Sequence, residues 1–343
     1  MAIKPVRIAV IGYGWWGKNI TRTLGGSALA KVVLVVETEA ATREGARADG
    51  AAGGFAVADR FETALADNSV DAVVLCTPHK AHAAQITAAA AAGKHVFCEK
   101  PLCLTYADAL AAITACGRAG VMLGIGHERR FEPVMIDLRA RIARGDIGSV
   151  LQIEANFSQD KFFALPPDNW RLSNEHAPVG PLTATGIHLV DLAIAILGPA
   201  ESVWARLATR GSNFANGDTL GMMLAFPGGA SALISAMLAT PFEGRLAVYG
   251  SRGWIEVRDR AHPETPRGWD VTTCLSGRER EIVYVPPNDS VRANLEAFAT
   301  AAAGGAAYPV TQREMLANVA AIEAIMRSAG SGRVEPITQP VIA

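Results

Sequence analysis

The stretch that decides the fold is residues 6–17, Val-Arg-Ile-Ala-Val-Ile-Gly-Tyr-Gly-Trp-Trp-Gly. Its apolar beginning predicts a buried strand, and the residues that follow it predict a helix. Between the two, Gly12, Gly14 and Gly17 have the spacing G-x-G-x-x-G. In such a motif the first glycine allows a tight turn, the second lets the backbone approach a pyrophosphate, and the third lets the helix pack closely on the sheet. The segment therefore predicts a dinucleotide site at the N-terminus of a helix.

The second predicted strand, Val32–Val36, ends at Glu37, where a ribose-binding acid is expected. A carboxylate there accepts hydrogen bonds from both ribose hydroxyls and repels a 2′-phosphate, so Glu37 favours NAD over NADP. The nearest arginine, Arg43, lies in the next predicted helix. The alternative is an ordinary tight turn with a solvated Glu37, but the flanking strand and helix favour the cofactor site. The residues predicted to contact NAD here are Gly12, Tyr13, Gly14, Trp15, Trp16, Gly17, Glu37 and Thr38.

The rest of the chain shows two patterns, which predict an α/β fold with two domains. Through residue 127, short apolar strands alternate with helical segments, the pattern of a Rossmann-type, doubly wound parallel sheet. From Ser202 to Val285 the chain is rich in strands and turns, which predicts an antiparallel sheet with one face buried. The predicted domains are residues 1–127, which bind NAD, and residues 128–343.

Composition argues against several kinds of partner. The 32 basic and 33 acidic side chains give a net charge of −1, whereas a nucleic-acid-binding face is basic. The charge-free residues 219–242 are long enough for a membrane helix, but Pro227, Gly228 and Gly229 interrupt them and predict a β-hairpin. His79 and His82 lack a third ligand nearby in sequence, so we expect no metal. The five cysteines lack metal-type pairing and the N-terminus lacks signal-peptide features, so we expect a cytoplasmic protein.

Two further motifs follow later strands of the first domain. They are Cys76-Thr77-Pro78-His79-Lys80-Ala81-His82 and Glu99-Lys100-Pro101. They resemble the a-T-P-x-x-x-H and E-K-P segments of the glucose–fructose oxidoreductase, inositol dehydrogenase and rhizopine-catabolism family (Gfo/Idh/MocA). The resemblance continues in order through Arg129–Phe131, Trp170-Arg171, Gly186–Asp191, Val248–Gly253, Pro309–Thr311 and Ala324–Ser328. It therefore covers almost the whole chain.

The resemblance implies a Rossmann domain followed by an α/β substrate and oligomerisation domain with a large open, mostly antiparallel sheet. Members of this family oxidise or reduce a carbinol carbon of sugars, polyols and their derivatives with NAD(P). Many are homodimers or homotetramers built through that sheet, so the resemblance implies a small sugar or polyol substrate and self-association. It also adds NAD contacts at Cys76, Thr77, Pro78, His79, His82, Glu99 and Lys100.

The family places a lysine and a histidine near the nicotinamide, and these correspond to Lys100 and His188. Oxidising a carbinol requires that the hydroxyl proton leave and that charge developing on oxygen be stabilised. A lysine in a partly desolvated site beside a cationic ring can serve both needs, and a histidine passes protons near neutral pH. The alternatives are a solvated lysine at a strand end and a core histidine bonded to its own helix.

The resemblance also implies substrate contacts after the last Rossmann strand and around the loop before the histidine helix. The predicted substrate residues are Arg129, Trp170, Arg171, Asn174, Thr185 and His188. An arginine there can grip a carboxylate or bridge hydroxyls. Arginines on a solvated rim are the alternative. Phe157–Phe163 is a further candidate for the pocket wall.

At one position the chain departs from the family. Members read D-x-G-x-H before this helix, whereas this chain reads Ala184-Thr185-Gly186-Ile187-His188, so alanine replaces the aspartate. Three explanations remain open. A hydroxyl of Thr183 or Thr185 substitutes in part; a substrate group or another acid, such as Asp191 or Glu175, takes the role; or redox activity is weakened. The alternative functions are a non-catalytic NAD-binding regulator and a redox-neutral enzyme with tightly bound NAD.

Overall fold

The computed structural model describes residues 4–341, which fold into two compact units. The first unit extends to Glu128 and includes Ser290–Met315, and the second comprises Arg129–Asp289 and the chain from Leu316 onward. The domain boundary after residue 127 stays a prediction. In the structure, residues 290–315 group with the first unit. Among residues 4–341, no helix is both long and apolar enough to cross a membrane.

The first unit is built on a sheet of six parallel strands. They are β1 (Val6–Ile11), β2 (Ala30–Val36), β3 (Ala56–Ala58), β4 (Ala72–Leu75), β5 (His95–Cys98) and β6 (Leu123–Ile125). Its helices are α1 (Trp15–Leu24), α2 (Ala40–Gly53), α3 (Phe61–Ala66), α4 (His82–Ala91) and α5 (Tyr106–Ala119). The order β3-β2-β1-β4-β5-β6 reverses between β1 and β4, where ligands of such sheets bind beyond the carboxyl ends. The predicted doubly wound parallel sheet is confirmed.

Burial explains why these strands are continuously apolar. Ile8, Ala9 and Val10 of β1, and Val73 and Val74 of β4, are completely buried. A strand in the middle of a parallel sheet is covered on both faces, so polar residues do not alternate along it.

The second unit is built on a mixed sheet of nine strands. They are β7 (Val150–Ser158), β8 (Ser202–Ala208), β9 (Thr219–Ala225), β10 (Ser231–Met237), β11 (Glu243–Gly250), β12 (Gly253–Asp259), β13 (Trp269–Leu275), β14 (Glu281–Val285) and β15 (Glu335–Pro336). The unit also contains the helices α6 (Pro133–Ala143) and α7 (Ile187–Leu197). In the order β14-β13-β12-β11-β7-β10-β9-β8-β15, the β7–β10 pair is parallel and the other pairs are antiparallel. The predicted mostly antiparallel sheet and the predicted hairpin, β9 and β10, are both confirmed.

The two faces of this sheet differ. On one face Val203 and Leu224 are buried, and α7 contacts β7 and β10. On the other face Trp204, Met223 and Leu233 are paired in register across β8, β9 and β10 and are 39, 45 and 40% exposed. We call the row of these three residues the open row.

Two helices close the chain, α8 (Ser290–Ala302) and α9 (Gln312–Ser331). The ring of Phe298 on α8 lies 5.5 Å from that of Phe97 on β5. The Asn294 side-chain amide donates to the carbonyl oxygen of Ile125 at 2.9 Å. These contacts explain why residues 290–315 group with the first unit although they follow the second in sequence.

Candidate active site

The glycine turn lies between β1 and α1, at the carboxyl edge of the first sheet. Gly12 has a φ of +90°, and a Cβ on it would lie 2.9 Å from the carbonyl oxygen of Cys76. A Cβ on Gly17 would lie 2.0 Å from the Gly12 carbonyl oxygen, so neither glycine tolerates a side chain. Among the described residues nothing lies within 4 Å of a Cβ built on Gly14, which begins α1 without a side-chain cap. The first turn of α1 therefore offers N–H groups to an anion, as a pyrophosphate requires.

Glu37 is fixed against this turn by its carboxylate. Its Oε2 accepts a hydrogen bond from the Tyr13 amide at 2.7 Å, and its Oε1 accepts one from the Glu39 amide at 2.9 Å. Arg43 lies beside it, because its guanidinium donates to the carbonyl oxygens of Glu37 and Thr38 at 3.0 and 2.9 Å. The acid that suits a ribose and the arginine that suits a 2′-phosphate are thus both held at the end of β2.

The aromatic residues of the motif have different surroundings. Tyr13 is buried, and its hydroxyl donates to Asp49 at 3.1 Å. Burial and this hydrogen bond raise the pKa of Tyr13 to about 12. Trp15 is 57% exposed, and its ring lies 5.3 Å from that of Trp16. The Tyr13 hydroxyl and backbone amide are thus bonded to Asp49 and Glu37, whereas Trp15 has a free surface.

His82 joins the two turns that follow β4 and β5. It is completely buried, with Nε2 3.0 Å from the Thr77 carbonyl oxygen and Nδ1 2.8 Å from the Pro101 carbonyl oxygen. Burial lowers the pKa of His82, and hydrogen bonds to these carbonyl groups oppose that effect. Pro78 precedes the short 3-10 helix His79–Ala81 in the first of these turns. His82 thus links the two turns to each other, and its contact with NAD stays a prediction.

Glu99 and Lys100 follow β5 at the same edge of the sheet as the glycine turn. Glu99 is 8% exposed, and the Lys100 amide donates to its Oε2 at 3.3 Å. Burial, together with the negative charge of Glu128, raises the pKa of Glu99 to about 7. A Cβ on Gly126 would lie 2.4 Å from Glu99 Oε2, so a side chain at this position would displace the carboxylate. Lys100 is half-buried, and its peptide bond to Pro101 is cis.

In the second unit, His188 lies in the first turn of α7 and is 5% exposed. Its ring lies 6.0 Å from that of Phe157 on β7. Residues Leu182–Gly186, which include Ala184, form a π-helical turn that leads into α7. The sequence does not predict this turn, whose wider helical geometry is frequent at functional sites. Within it the Thr185 hydroxyl donates to the Pro181 carbonyl oxygen at 3.3 Å.

Three buried ion pairs hold the segment that precedes α6. Arg130 donates to both carboxylate oxygens of Asp191 on α7, at 2.6 and 2.7 Å. Arg129 donates to Glu132 at 3.1 Å and to Asp259 at 2.8 Å, and its side chain is 3% exposed. The carboxylates of Asp259 and Glu132 hold the pKa of Arg129 above its usual range despite burial. Two carboxylates thus hold Arg129, and its contact with a substrate stays a prediction.

The loop predicted to face the substrate is bonded to a second loop. The Arg171 guanidinium lies 4.4 Å from the centre of the Trp170 ring. Asn174 donates to the Ala215 carbonyl oxygen at 2.7 Å. The buried Asn216 donates to the carbonyl oxygen of Arg171 at 2.7 Å. Nothing in the local sequence marked Asn216, because its importance comes from a contact between segments 45 positions apart.

Comparisons with known proteins match both parts of the chain to families. Residues 6–127 match the family described as "Oxidoreductase family, NAD-binding Rossmann fold". Residues 135–256 match the family described as "GFO/IDH/MocA C-terminal domain". Together with the glycine turn, these matches define an NAD(P)-binding oxidoreductase with a Rossmann domain.

Individual relatives span nearly the whole chain. D-xylose 1-dehydrogenase (NADP(+)) 2 of Haloferax volcanii is 30% identical over 321 residues, which cover 91% of this chain and 96% of that protein. Inositol 2-dehydrogenase 2 of Saccharopolyspora erythraea is 29% identical over 344 residues, covering 97% and 95%. The crystal structure of aldose-aldose oxidoreductase from Caulobacter crescentus, complexed with glycerol, matches with a TM-score of 0.85 and 26% identity over 97% of this chain and 100% of that chain. The chain belongs to the Gfo/Idh/MocA oxidoreductase family.

Proposed function

We propose that this chain transfers hydride between NAD and a carbinol or carbonyl carbon of a sugar, polyol or sugar derivative, with Lys100 and His188 as acid–base groups. The observation that carries the proposal is the position of Lys100. It follows β5 at the edge of the sheet that bears the glycine turn, and the buried Glu99 and His82 bond to the backbone of its turn. The names of two relatives, a xylose dehydrogenase and an inositol dehydrogenase, support this class of substrate.

The residues divide the chemistry between them. The nicotinamide, when bound, supplies the hydride acceptor or donor. The Lys100 ammonium stabilises charge that develops on the substrate oxygen, and its amine form takes the hydroxyl proton. His188 carries a proton near neutral pH, the range in which imidazole is most effective. The half-buried position of Lys100 and the buried position of His188 limit competing hydrogen bonds from water.

Glu37 supports NAD rather than NADP as the cofactor. Its carboxylate is fixed at the glycine turn by the Tyr13 amide, where it would repel a 2′-phosphate. Arg43 favours NADP, and the Haloferax volcanii relative is named as an NADP(+) enzyme. We weigh Glu37 more heavily because its side chain faces the turn, whereas the Arg43 guanidinium donates to backbone carbonyl groups.

The direct test is turnover. Purified protein is incubated with NAD⁺ and a panel of aldoses, polyols and uronic acids, and NADH formation is followed by absorbance. We expect one chemical group of the panel to be oxidised, and His188→Asn to lower kcat/KM about 100-fold or more because a proton carrier is lost. The absence of turnover across the panel in both directions, or full activity of His188→Asn, would contradict the proposal.

Ala184 favours one second candidate, a redox-neutral conversion through a keto intermediate with retained NAD. An alanine cannot orient or charge the proton relay as the family's aspartate does. Such a protein gives no net NADH, so a net-redox assay fails to detect it. Product analysis with substoichiometric NAD⁺ distinguishes the two candidates, because the redox-neutral reaction continues after one equivalent.

We also propose that copies of this chain associate through the open row of the second sheet. Trp204, Met223 and Leu233 form an adjacent apolar set on exposed strands. Contiguous exposed apolar surface of this kind is typical of subunit interfaces. Light scattering should show a dimer or tetramer, and Met223→Glu should lower its mass because a charge would be buried. A wild-type monomer at micromolar concentration would contradict this assignment.

A further inference from the structure

A separate pocket of about 680 Å³ lies within the second unit. Its apolar wall includes Phe162, Phe163 and Leu172, and its opposite wall is the segment 210–215. Neither Lys100 nor His188 lines it, so it is distinct from the acid–base groups of the proposed reaction. Its volume falls in the usual range for small-molecule pockets.

One wall of the pocket is held in shape by a buried carboxylate. Asp218 is completely buried and accepts hydrogen bonds from the amides of Arg210, Gly211 and Ser212 at 2.9, 2.8 and 2.8 Å. It also accepts from the hydroxyl of Thr219 at 2.8 Å. These donors lower the pKa of Asp218 to about 2 against the opposing effect of burial. The wall is therefore rigid before any ligand arrives, which lowers the entropic cost of binding.

The two walls are also bonded to each other. Asn174 donates to the Ala215 carbonyl oxygen, and Asn216 donates to the carbonyl oxygens of Arg171 and Ala177 at 2.7 and 2.8 Å. The first wall thereby continues into the loop predicted to face the substrate. Leu172 lies in the same short helix as Trp170 and Arg171 and lines the pocket, so the loop and the pocket adjoin.

The lining identifies the kind of group that fits. The rings of Phe163 and Phe214 lie 5.3 Å apart at an interplanar angle of 44° and present an aromatic surface, and Phe163 is 54% exposed. The apolar C–H face of a sugar ring is suited to an aromatic surface, and the Asn213 side chain offers polar groups for its hydroxyls. Arg210 is exposed, and no carboxylate of residues 4–341 forms an ion pair with its guanidinium. An exposed guanidinium that forms no ion pair within the protein can bind the carboxylate of a ligand.

We propose that this pocket binds a second sugar ring of the substrate, remote from the reacting carbon, and that Arg210 selects an acidic ring. The assignment rests on the proposed function for the identity of the first ring. It makes the enzyme one for disaccharides or glycosides, with a preference for those that end in a uronic acid.

The test is calorimetric binding to NADH-saturated protein, which requires no turnover. The probes are D-glucose, cellobiose and the acidic disaccharide 4-O-β-D-glucuronosyl-D-glucose. We expect the acidic disaccharide to bind about tenfold tighter than cellobiose, and cellobiose to bind tighter than glucose, because each added contact adds affinity. Arg210→Ala should remove the preference for the acid. Phe163→Ala should weaken both disaccharides to similar extents.

Arg206→Ala is the matched control, because Arg206 is an exposed arginine on β8 outside the pocket lining. Equal binding of the three probes, no binding of any probe, or an acid preference that survives Arg210→Ala would overturn the assignment. Failure of the proposed function gives a different result. In that case the disaccharides bind with the expected pattern, yet no sugar is oxidised or reduced in the turnover panel.

Discussion

The carboxyl edge of the first sheet and the loops of the second unit hold their polar groups by different means. At the first, Glu37 reaches the Tyr13 amide across 24 positions of sequence, within one strand–turn–helix–strand segment. In the second, Arg129 reaches Asp259 across 130 positions, and both side chains are buried. Backbone geometry and sequence spacing therefore position the polar groups at the carboxyl edge of the first sheet, which we call the cofactor edge. Buried long-range ion pairs position the loops around His188. The two regions should respond differently to substitution.

The largest effect is expected at a buried ion pair of the second unit. Asp191→Ala leaves the Arg130 guanidinium buried without its carboxylate, and we expect the free energy of unfolding to fall by about 3–5 kcal/mol. The measurement is urea denaturation followed by circular dichroism. The matched control is Asp71→Ala, which breaks a partly exposed pair with Arg7 in the first unit. A similar loss for both variants would show that burial does not distinguish the two regions.

The second effect concerns the pocket wall. Asp218→Asn removes an acceptor that serves three backbone amides, and we expect a loss of about 2–4 kcal/mol at pH 7. The folded pKa of Asp218 lies near 2, below its usual value of 3.8. The contribution of ionised Asp218 to the free energy of unfolding is therefore fully present above pH 3.8 and is lost as pH falls toward 2. Denaturation of both proteins as a function of pH checks this, and a constant difference between them below pH 4 would contradict it.

The third effect is a gain in the free energy of unfolding, and it concerns Glu99 at the cofactor edge. The folded pKa of Glu99 is raised to about 7 from 4.5, so burying it is favourable while it is protonated and becomes unfavourable as pH rises through that range. We expect Glu99→Gln to stabilise the protein above pH 7 by on the order of 1–3 kcal/mol and to change little at pH 4. Glu44→Gln, at an exposed position of α2, is the control. A gain at pH 4 equal to that at pH 8 would rule out titration of Glu99 as the cause.

The smallest effect concerns the choice of cofactor. Glu37→Ser removes the carboxylate that opposes a 2′-phosphate, so the ratio of NADPH to NADH affinity should rise about tenfold. Fluorescence titration of both cofactors measures this ratio. Adding Arg43→Ala should reverse part of the rise, because a cation near the phosphate is lost. An unchanged ratio in Glu37→Ser would remove Glu37 from cofactor selection.

The difference between local spacing in the first unit and long-range ion pairs in the second explains which features the sequence could predict. The parallel sheet, the hairpin at β9 and β10 and the glycine turn follow from local periodicity and spacing, and the structure confirms them. The buried partners of Arg129 could not be predicted, because its carboxylates lie at distant positions that carry no motif. The π-helical turn at Leu182–Gly186 could not be predicted either, since Thr and Gly there fit an ordinary helix start. Local chemistry thus predicts the cofactor edge better than the substrate loops.

Lys100 is expected to contribute more to the chemistry than to the fold or to cofactor binding. The most direct measurement compares Lys100→Met with Lys31→Met, an exposed lysine on β2, for NADH affinity and for turnover of the best substrate in the panel. We expect both variants to bind NADH like the wild type. We expect turnover to fall about 100- to 10,000-fold in Lys100→Met alone, because the proton donor and acceptor is lost. Wild-type turnover in Lys100→Met, or loss of NADH binding equal to the loss of turnover, would contradict the claim.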